Sequence, residues 1–475
     1  MKQTFIGFFI LLFTIAAICI FYRYPSMLHL LPQGSHLWRQ ADCLAMMQNY
    51  QQFQLDFFQP ATYNLQSING NVAGEFPVFY FMAAQFKNAA FALRIVHTFI
   101  FLFGILATYF ISFFFLRRRF LSVICSLLLF TSPLLIFYGN NFLSDVPALS
   151  VAFTGWSIFL YANKKENLFW LLVSFLCFAF AGLLKASEMI NFVIAFILTI
   201  KTKKINPTLL IPYSVLLIPL AWYYYAKQYN LQNYDRYYFL NISPIWKLSL
   251  HDIGLGAWRM VVSLSNNYFW RPTSVLLILS VYFLIRHWKK LDAALRIVIA
   301  TSFAMVLLYI ILFYQKMIGH EYYYAPFFIF ILFVLIGILK TYNFFHAENV
   351  FTHAAIFLFL IPNLIFCKNF VAEKLTDNLP NGYLSSEEMQ VFLEKNGVKE
   401  DKILISLPDD SPNKTLSQLK RKGYTQFNDY IFMLQHKKAD YMLLGLDCYI
   451  HAEKLKPYTT DSLGNFNGFV LYKLK

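Results

Sequence analysis

Residues 95–116 contain no Asp, Glu, Lys or Arg, and an apolar run of that length decides what the rest of the chain can become. A helix needs about 20 apolar residues to cross the hydrocarbon of a bilayer, where every backbone polar group must be satisfied within the segment. Comparable runs lie at 4–22, 92–116, 120–138, 144–162, 168–184, 188–200, 207–226, 273–286, 294–315, 324–340 and 350–367. The expected fold class is an all-α polytopic membrane protein with about 11 transmembrane helices. Two runs, 188–200 and 273–286, are short, and short or broken helices often surround a site. The first run resembles a signal peptide, but Lys2 is its only basic flank and Tyr22-Arg23-Tyr24-Pro25 follows in place of a small-residue cleavage site, so it reads as an uncleaved first helix.

Charge marks off a second region. Of 25 acidic residues, 11 lie in residues 1–367 and 14 in residues 368–475, the latter with 15 Lys and Arg. The expected domains are a transmembrane part, 1–367, and a near-neutral soluble α/β domain, 368–475. Within the latter, 402–406, 441–444 and 468–472 have strand character, while 387–396 and 414–422 have helical composition. The loop 407–412 follows the first strand, where ligands often bind in α/β sheets; a solvated turn with a helix cap is the plainer reading.

The net charge of +15 comes mainly from short Lys/Arg runs between apolar segments. A nucleic-acid footprint would gather it on one soluble face, so nucleic acid is excluded as a partner. With the N-terminus cytoplasmic, inner segments hold 14 basic and 3 acidic residues, including Arg117-Arg118-Arg119 and Lys203-Lys204, against 11 and 8 in the longer outer segments before residue 368. That is the positive-inside pattern. It puts loops 23–91 and 227–272 and the C-terminal domain outside, with aromatic clusters such as Trp222-Tyr223-Tyr224-Tyr225 at the interface, and parts of each loop as helices along the membrane surface. Cys43 and Cys448 share that outer side and could pair, although their spacing does not ask for it; no Cys/His pattern suggests zinc.

On this topology four polar clusters gather on the outer face, and ionisable groups at a hydrocarbon boundary point to a site. Asp42, in Trp38-Arg39-Gln40-Ala41-Asp42, could act as a general base on a hydroxyl or amine acceptor; its i,i+3 spacing from Arg39 equally fits a local ion pair. Outside the four clusters, Glu75, before Phe76-Pro77, is a second acid or a helix N-terminal anion. Asp145 opens a helix in Ser144-Asp145-Val146-Pro147, either as a cap or as a site acid. Lys185 ends a helix, where it snorkels or meets a phosphate. His320 and Glu321 suit a metal or a pyrophosphate-like headgroup, beside Tyr322-Tyr323-Tyr324, whose rings offer sugar-stacking faces.

These features, in this order and on one side, resemble the GT-C glycosyltransferases of the bacterial branch related to protein mannosyltransferases and the lipid A aminoarabinose transferase. The likeness rests on His36–Asp42, Glu75-Phe76-Pro77-Val78-Phe79-Tyr80, Arg94, Asp145-Val146-Pro147, Gly182-Leu183-Leu184-Lys185 and His320-Glu321-Tyr322-Tyr323, and covers about residues 1–367. It implies inverting transfer from a polyprenyl-phosphate sugar to a glycan, lipid or protein acceptor at the outer face of a bacterial inner membrane. Asp42 would then deprotonate the acceptor, with Glu75 and Asp145 as acceptor-side or second acids. Lys185 with Arg94 would bind the donor phosphate, and His320, Glu321 and Tyr322 would line the donor pocket. No cofactor is required, and the role of a divalent cation is left open. The chain departs from the commonest family pattern, which has two adjacent acids in the first loop, because Ala41 precedes Asp42. Two other classes fit part of the pattern: a lipid-linked-glycan flippase, which would need polar residues through the membrane depth, and a glycan polymerase or ligase. A structural scaffold would not explain Asp145, Lys185 and His320-Glu321 together.

Overall fold

The computed structural model describes residues 2–203, 207–235, 237–238, 242–341, 350–446 and 455–475; Lys204 and Cys448 lie outside them. The chain forms two compact units, each assembled from separated stretches. One comprises 1–29, 94–223 and 241–374; the other takes 30–93, 224–240 and 375–475. The second unit thus gathers most of the first long loop and a piece of the other around the C-terminal sheet.

The first unit is helical. Asp145–Lys165 and Leu168–Leu184 form a hairpin, joined through Glu166 in a left-handed conformation and capped where Asn167 accepts the Trp170 amide hydrogen. Their close approach needs a small residue: a Cβ on Gly155 would stand 2.7 Å from the Phe178 ring. Small residues play this part where helices associate by packing rather than by hydrophobic exclusion. Trp156, fully buried, donates its indole hydrogen to Asn191 Oδ1 at 2.7 Å, tying the hairpin to the helix Ile190–Thr202.

Two helices, Ala89–Leu116 and Ala293–Gly319, are long and apolar enough to cross a membrane among the described residues, and up to four spans result if each of two bent helix pairs counts as one. The expected helix over 120–138 is broken: Arg119–Leu129 and Pro133–Gly139 meet at 72°. Pro133 sits in the first turn of its helix, where its missing N–H costs nothing, and so starts a new helix. The segment read as loop before 273 contains the helix Leu250–Asn267, which turns 111° into Arg271–Arg286. The expected helix over 207–226 becomes a 3-10 turn, Ile211–Leu216, followed by a helix that runs on to Gln232. Val350–Thr376 likewise continues past residue 367.

The second unit contains the expected α/β sheet. Its strands are β1 (Leu404–Leu407), β2 (Gly423–Thr425), β3 (Tyr441–Gly445), β4 (Thr459–Phe466) and β5 (Phe469–Leu474), in the order β2-β1-β3-β5-β4. β1 is parallel to β2 and β3, and the β4–β5 hairpin adds antiparallel to β3. β1 and β3 are buried at every position, as expected for parallel strands covered on both faces. Leu404, Tyr441 and Leu443 pack on one side with Leu416, Leu419 and, from the first loop, Ala45 and Tyr63. Ile405, Leu407, Met442 and Leu444 pack on the other with Leu434 and Leu455. Helices Glu387–Lys395 and Lys414–Leu419 stand where expected; β2, β4 and the helix Tyr430–Gln435 are additions to the sequence reading.

The first loop is fastened to this sheet by its backbone. Lys422 donates to the carbonyls of Thr62 at 2.7 Å and Asn69 at 2.9 Å, and burial lowers its pKa to about 7. Between those carbonyls Gly70 adopts φ +75°, and a Cβ there would meet the Thr62 carbonyl oxygen at 2.2 Å. Gly70→Ala is therefore expected to destabilise the protein by about 1–3 kcal/mol. Gly254→Ala, in a helix with open space around it, should stabilise by about 0.5–1 kcal/mol. Thermal unfolding of the two variants in detergent checks the opposite signs.

Candidate active site

In the second unit, Asp42 lies on the helix Leu37–Phe53 and is 1% exposed. Its Oδ1 accepts a hydrogen bond from Asn413 Nδ2 at 2.9 Å. Its Oδ2 stands 3.6 Å from Arg39 Nη1 and makes no hydrogen bond of ordinary geometry among the described residues. Arg39 turns its other terminal nitrogen to Glu75, donating to both carboxylate oxygens at 2.7 and 3.0 Å. The helix spacing thus gives the local Arg39–Asp42 pair, and the tertiary fold adds Glu75 to it. Burial pushes the Asp42 pKa up to about 6, held back by the Arg39 charge and by Asn413 and Tyr238, and pushed further by Asp409.

Asn413 is a residue that sequence reasoning missed. Its amide also donates to the Tyr238 hydroxyl at 2.9 Å, and its Oδ1 accepts the Asn64 amide hydrogen at 3.0 Å. It ends the loop after β1, whose Asp409 is internally satisfied: its carboxylate accepts from the Ser411 and Thr415 amides and hydroxyls at 2.6–2.9 Å. Asp409 therefore braces the turn and the first turn of the helix Lys414–Leu419, at a position that is buried rather than solvated. Cys43 is a buried free thiol whose Sγ is 3.2 Å from the Tyr80 hydroxyl.

In the first unit, Lys185 Nζ and Asp145 Oδ1 form a buried ion pair at 3.0 Å. Lys185 caps the C-terminus of Leu168–Leu184 and Asp145 begins Asp145–Lys165, so each charge also complements a helix dipole. Ser144 reinforces the junction by donating to the Leu184 carbonyl at 3.0 Å. The Lys185 ammonium lies 5.6 and 5.2 Å from the ring centroids of Tyr322 and Tyr323, within cation–π range. His320 stacks on Tyr322 with centroids 5.5 Å apart. Glu321 accepts from the Tyr138 hydroxyl at 2.8 Å and pairs with Lys374, a lysine the sequence did not single out.

Arg94 is buried in the same unit. It donates to the backbone carbonyl and, at 3.1 Å, to the side-chain oxygen of Asn140, and its guanidinium covers the Phe142 ring. His97, one turn on, bonds the Asn141 carbonyl at 2.8 Å. Both hold the segment that leads into Asp145. Asp145, Lys185, His320, Glu321 and Tyr322 are thus brought together in one unit, with Arg94 bracing its edge; Asp42 and Glu75 are brought together in the other. Among the described residues no three His, Cys, Asp or Glu side chains gather to hold a metal ion.

Removing one partner of a buried ion pair strands the other in a poorly solvating site. Lys185→Met is expected to cost about 3–5 kcal/mol, and adding Asp145→Asn should recover much of that loss. A double-mutant cycle on unfolding in detergent measures the coupling; additive effects would show that the pair is not energetically linked.

No protein-family model and no curated protein matches this sequence. Solved structures do. ArnT from Cupriavidus metallidurans, an aminoarabinose transferase, superposes with a TM-score of 0.60 at 11% identity, over 98% of this chain and 97% of its own. The same enzyme bound to undecaprenyl phosphate gives 0.59, with 98% of each chain covered. The mycobacterial arabinofuranosyltransferase AftD gives 0.56 at 10% identity, over 100% of this chain and 40% of its own. The oligosaccharyltransferase of Archaeoglobus fulgidus gives 0.52 at 11% identity, over 96% and 73%. All are GT-C glycosyltransferases, and the helical body with its C-terminal sheet has the GT-C fold.

Proposed function

We propose that this chain is a membrane glycosyltransferase that moves a sugar from a polyprenyl-phosphate donor to an acceptor, with inversion at the anomeric carbon. The observation that carries the reading is the placement of Asp42, a buried carboxylate with one oxygen on Asn413 and the other outside ordinary hydrogen bonding, whose pKa burial pushes up to about 6. Such a group is mainly ionised at neutral pH and still basic enough to take a proton, as a general base requires. The GT-C fold and the undecaprenyl phosphate bound by ArnT support the donor class.

In this reading the acceptor hydroxyl gives its proton to Asp42 as its oxygen attacks the anomeric carbon. The bond from that carbon to the phosphate oxygen breaks, and its electron pair leaves with the lipid phosphate. Arg39, braced by Glu75, holds the carboxylate in place. Lys185 is assigned to the departing phosphate, where a fixed positive charge lowers the barrier most as negative charge develops. Asp145 and the rings of Tyr322 and Tyr323 fix its ammonium, and Arg94 steadies the approach to Asp145. His320, Glu321 and Tyr322 are assigned to the donor headgroup. The membrane is bacterial and inner, with the chemistry and the C-terminal domain on the extracytoplasmic side.

Transfer of radiolabelled sugar from polyprenyl-phosphate donor in membranes tests this. Asp42→Asn should reduce transfer by about 10²–10⁴-fold, and undiminished transfer would reject Asp42 as base. The wild-type rate should fall as pH drops through about 6, because Asp42 is protonated below its pKa. Asn413→Ala removes a hydrogen bond that favours the charged form, so the acidic limb should move to higher pH. A limb left in place would show that another group titrates there.

A further inference from the structure

The second unit holds a cavity of about 360 Å³ that Asp42 itself does not line. Its wall combines the rings of Trp38, Tyr237 and Phe427 with the polar ends of Asn378, Asp410 and Lys414. The volume falls at the small end of the range typical of ligand pockets, about 300–1,000 Å³. Tyr237 and Phe427 pack edge to face with ring centroids 4.8 Å apart. Lys414 Nζ lies 3.1 Å from Asp410 Oδ1, which sets a donor and an acceptor side by side on the rim.

The position of the cavity follows from the chain. Trp38 and Asp42 stand i,i+4 on the helix Leu37–Phe53 and therefore share a face. Tyr237 immediately precedes Tyr238, and Lys414 immediately follows Asn413; Asn413 bonds both the Tyr238 hydroxyl and Asp42. The cavity is thus lined by chain neighbours of the residues that hold the proposed base.

We infer that this cavity is an acceptor subsite for a saccharide ring. A sugar ring has an apolar face of C–H bonds and a rim of hydroxyls that both donate and accept. The cavity offers the matching surfaces: aromatic planes for the face, and a carboxylate, an amide and an ammonium for the rim. A fatty acyl chain would have no use for the polar rim. This inference rests on the transferase reading and adds the chemical class of its acceptor: a glycan, or a lipid recognised through its sugar.

The test separates the two claims by reading binding without turnover. Full-length protein in nanodiscs is probed by saturation-transfer NMR with a panel of methyl glycosides of hexoses and pentoses. Transfer to the ring C–H protons of at least one glycoside is expected. Phe427→Ala should weaken it about 5-fold, and Phe427→Trp should retain it. Asp42→Asn should leave binding in place while transfer is lost. The exposed Leu463→Ala, on β4, controls for non-specific loss. Absence of any glycoside signal, binding indifferent to Phe427→Ala, or displacement of the glycoside by a serine/threonine peptide would overturn the subsite, and none of these touches the assignment of Asp42. Sugar binding without any transfer would instead overturn the transferase reading.

Discussion

Dehydrated charge is the constraint on which this structure turns. An ion taken into apolar surroundings costs several kcal/mol unless it is matched, and the matches decide which loop lies where. Lys185 with Asp145 fastens the end of one helix to the start of another, and Glu321 with Lys374 fixes the segment that carries the tyrosine cluster. Arg39 serves two acids at once, Glu75 closely and Asp42 at a longer reach. Asp42 is the acid least fully matched of these, which makes its proton negotiable near neutrality. The Lys185–Asp145 and Glu321–Lys374 pairs each join two opposite charges directly.

How far this could be read from the sequence depends on the range of the interaction. The helices Leu168–Leu184 and Ile190–Thr202 fall where apolar length and flanking lysines place them, because both signals are local. The break after Leu129 was also written locally, in Ser132-Pro133, but the surrounding apolar residues read as one continuous span. The helix Leu250–Asn267 lies in a loop expected to hold surface helices but too polar to count as a span, with His251, Asp252 and Arg259 along it. In the sheet, the buried strands β1 and β3 stand out as short apolar runs. The edge strand β4 is mostly exposed, as edges tolerate, and so lacks the alternation that would mark it.

The site divides in the same way. Asp42, Glu75, Asp145, Lys185 and the His320–Tyr322 group could be singled out because charge or clustering at an apolar boundary is conspicuous. Their partners could not. Asn413, Tyr138 and Lys374 are ordinary residues in sequence, and only tertiary contact gives them a role. Arg94 shows the converse: it is conspicuous in sequence, yet its guanidinium is engaged with a carbonyl and an aromatic ring of its own unit.

Asp42 and the amide that bonds it are 371 positions apart. The ribosome therefore delivers the acid long before the group that steadies its charge. Arg39 is made with Asp42 on one helix, whereas Asn413 reaches them only from the loop after β1. Order of synthesis thus separates the acid from the amide that steadies it by most of the length of the chain.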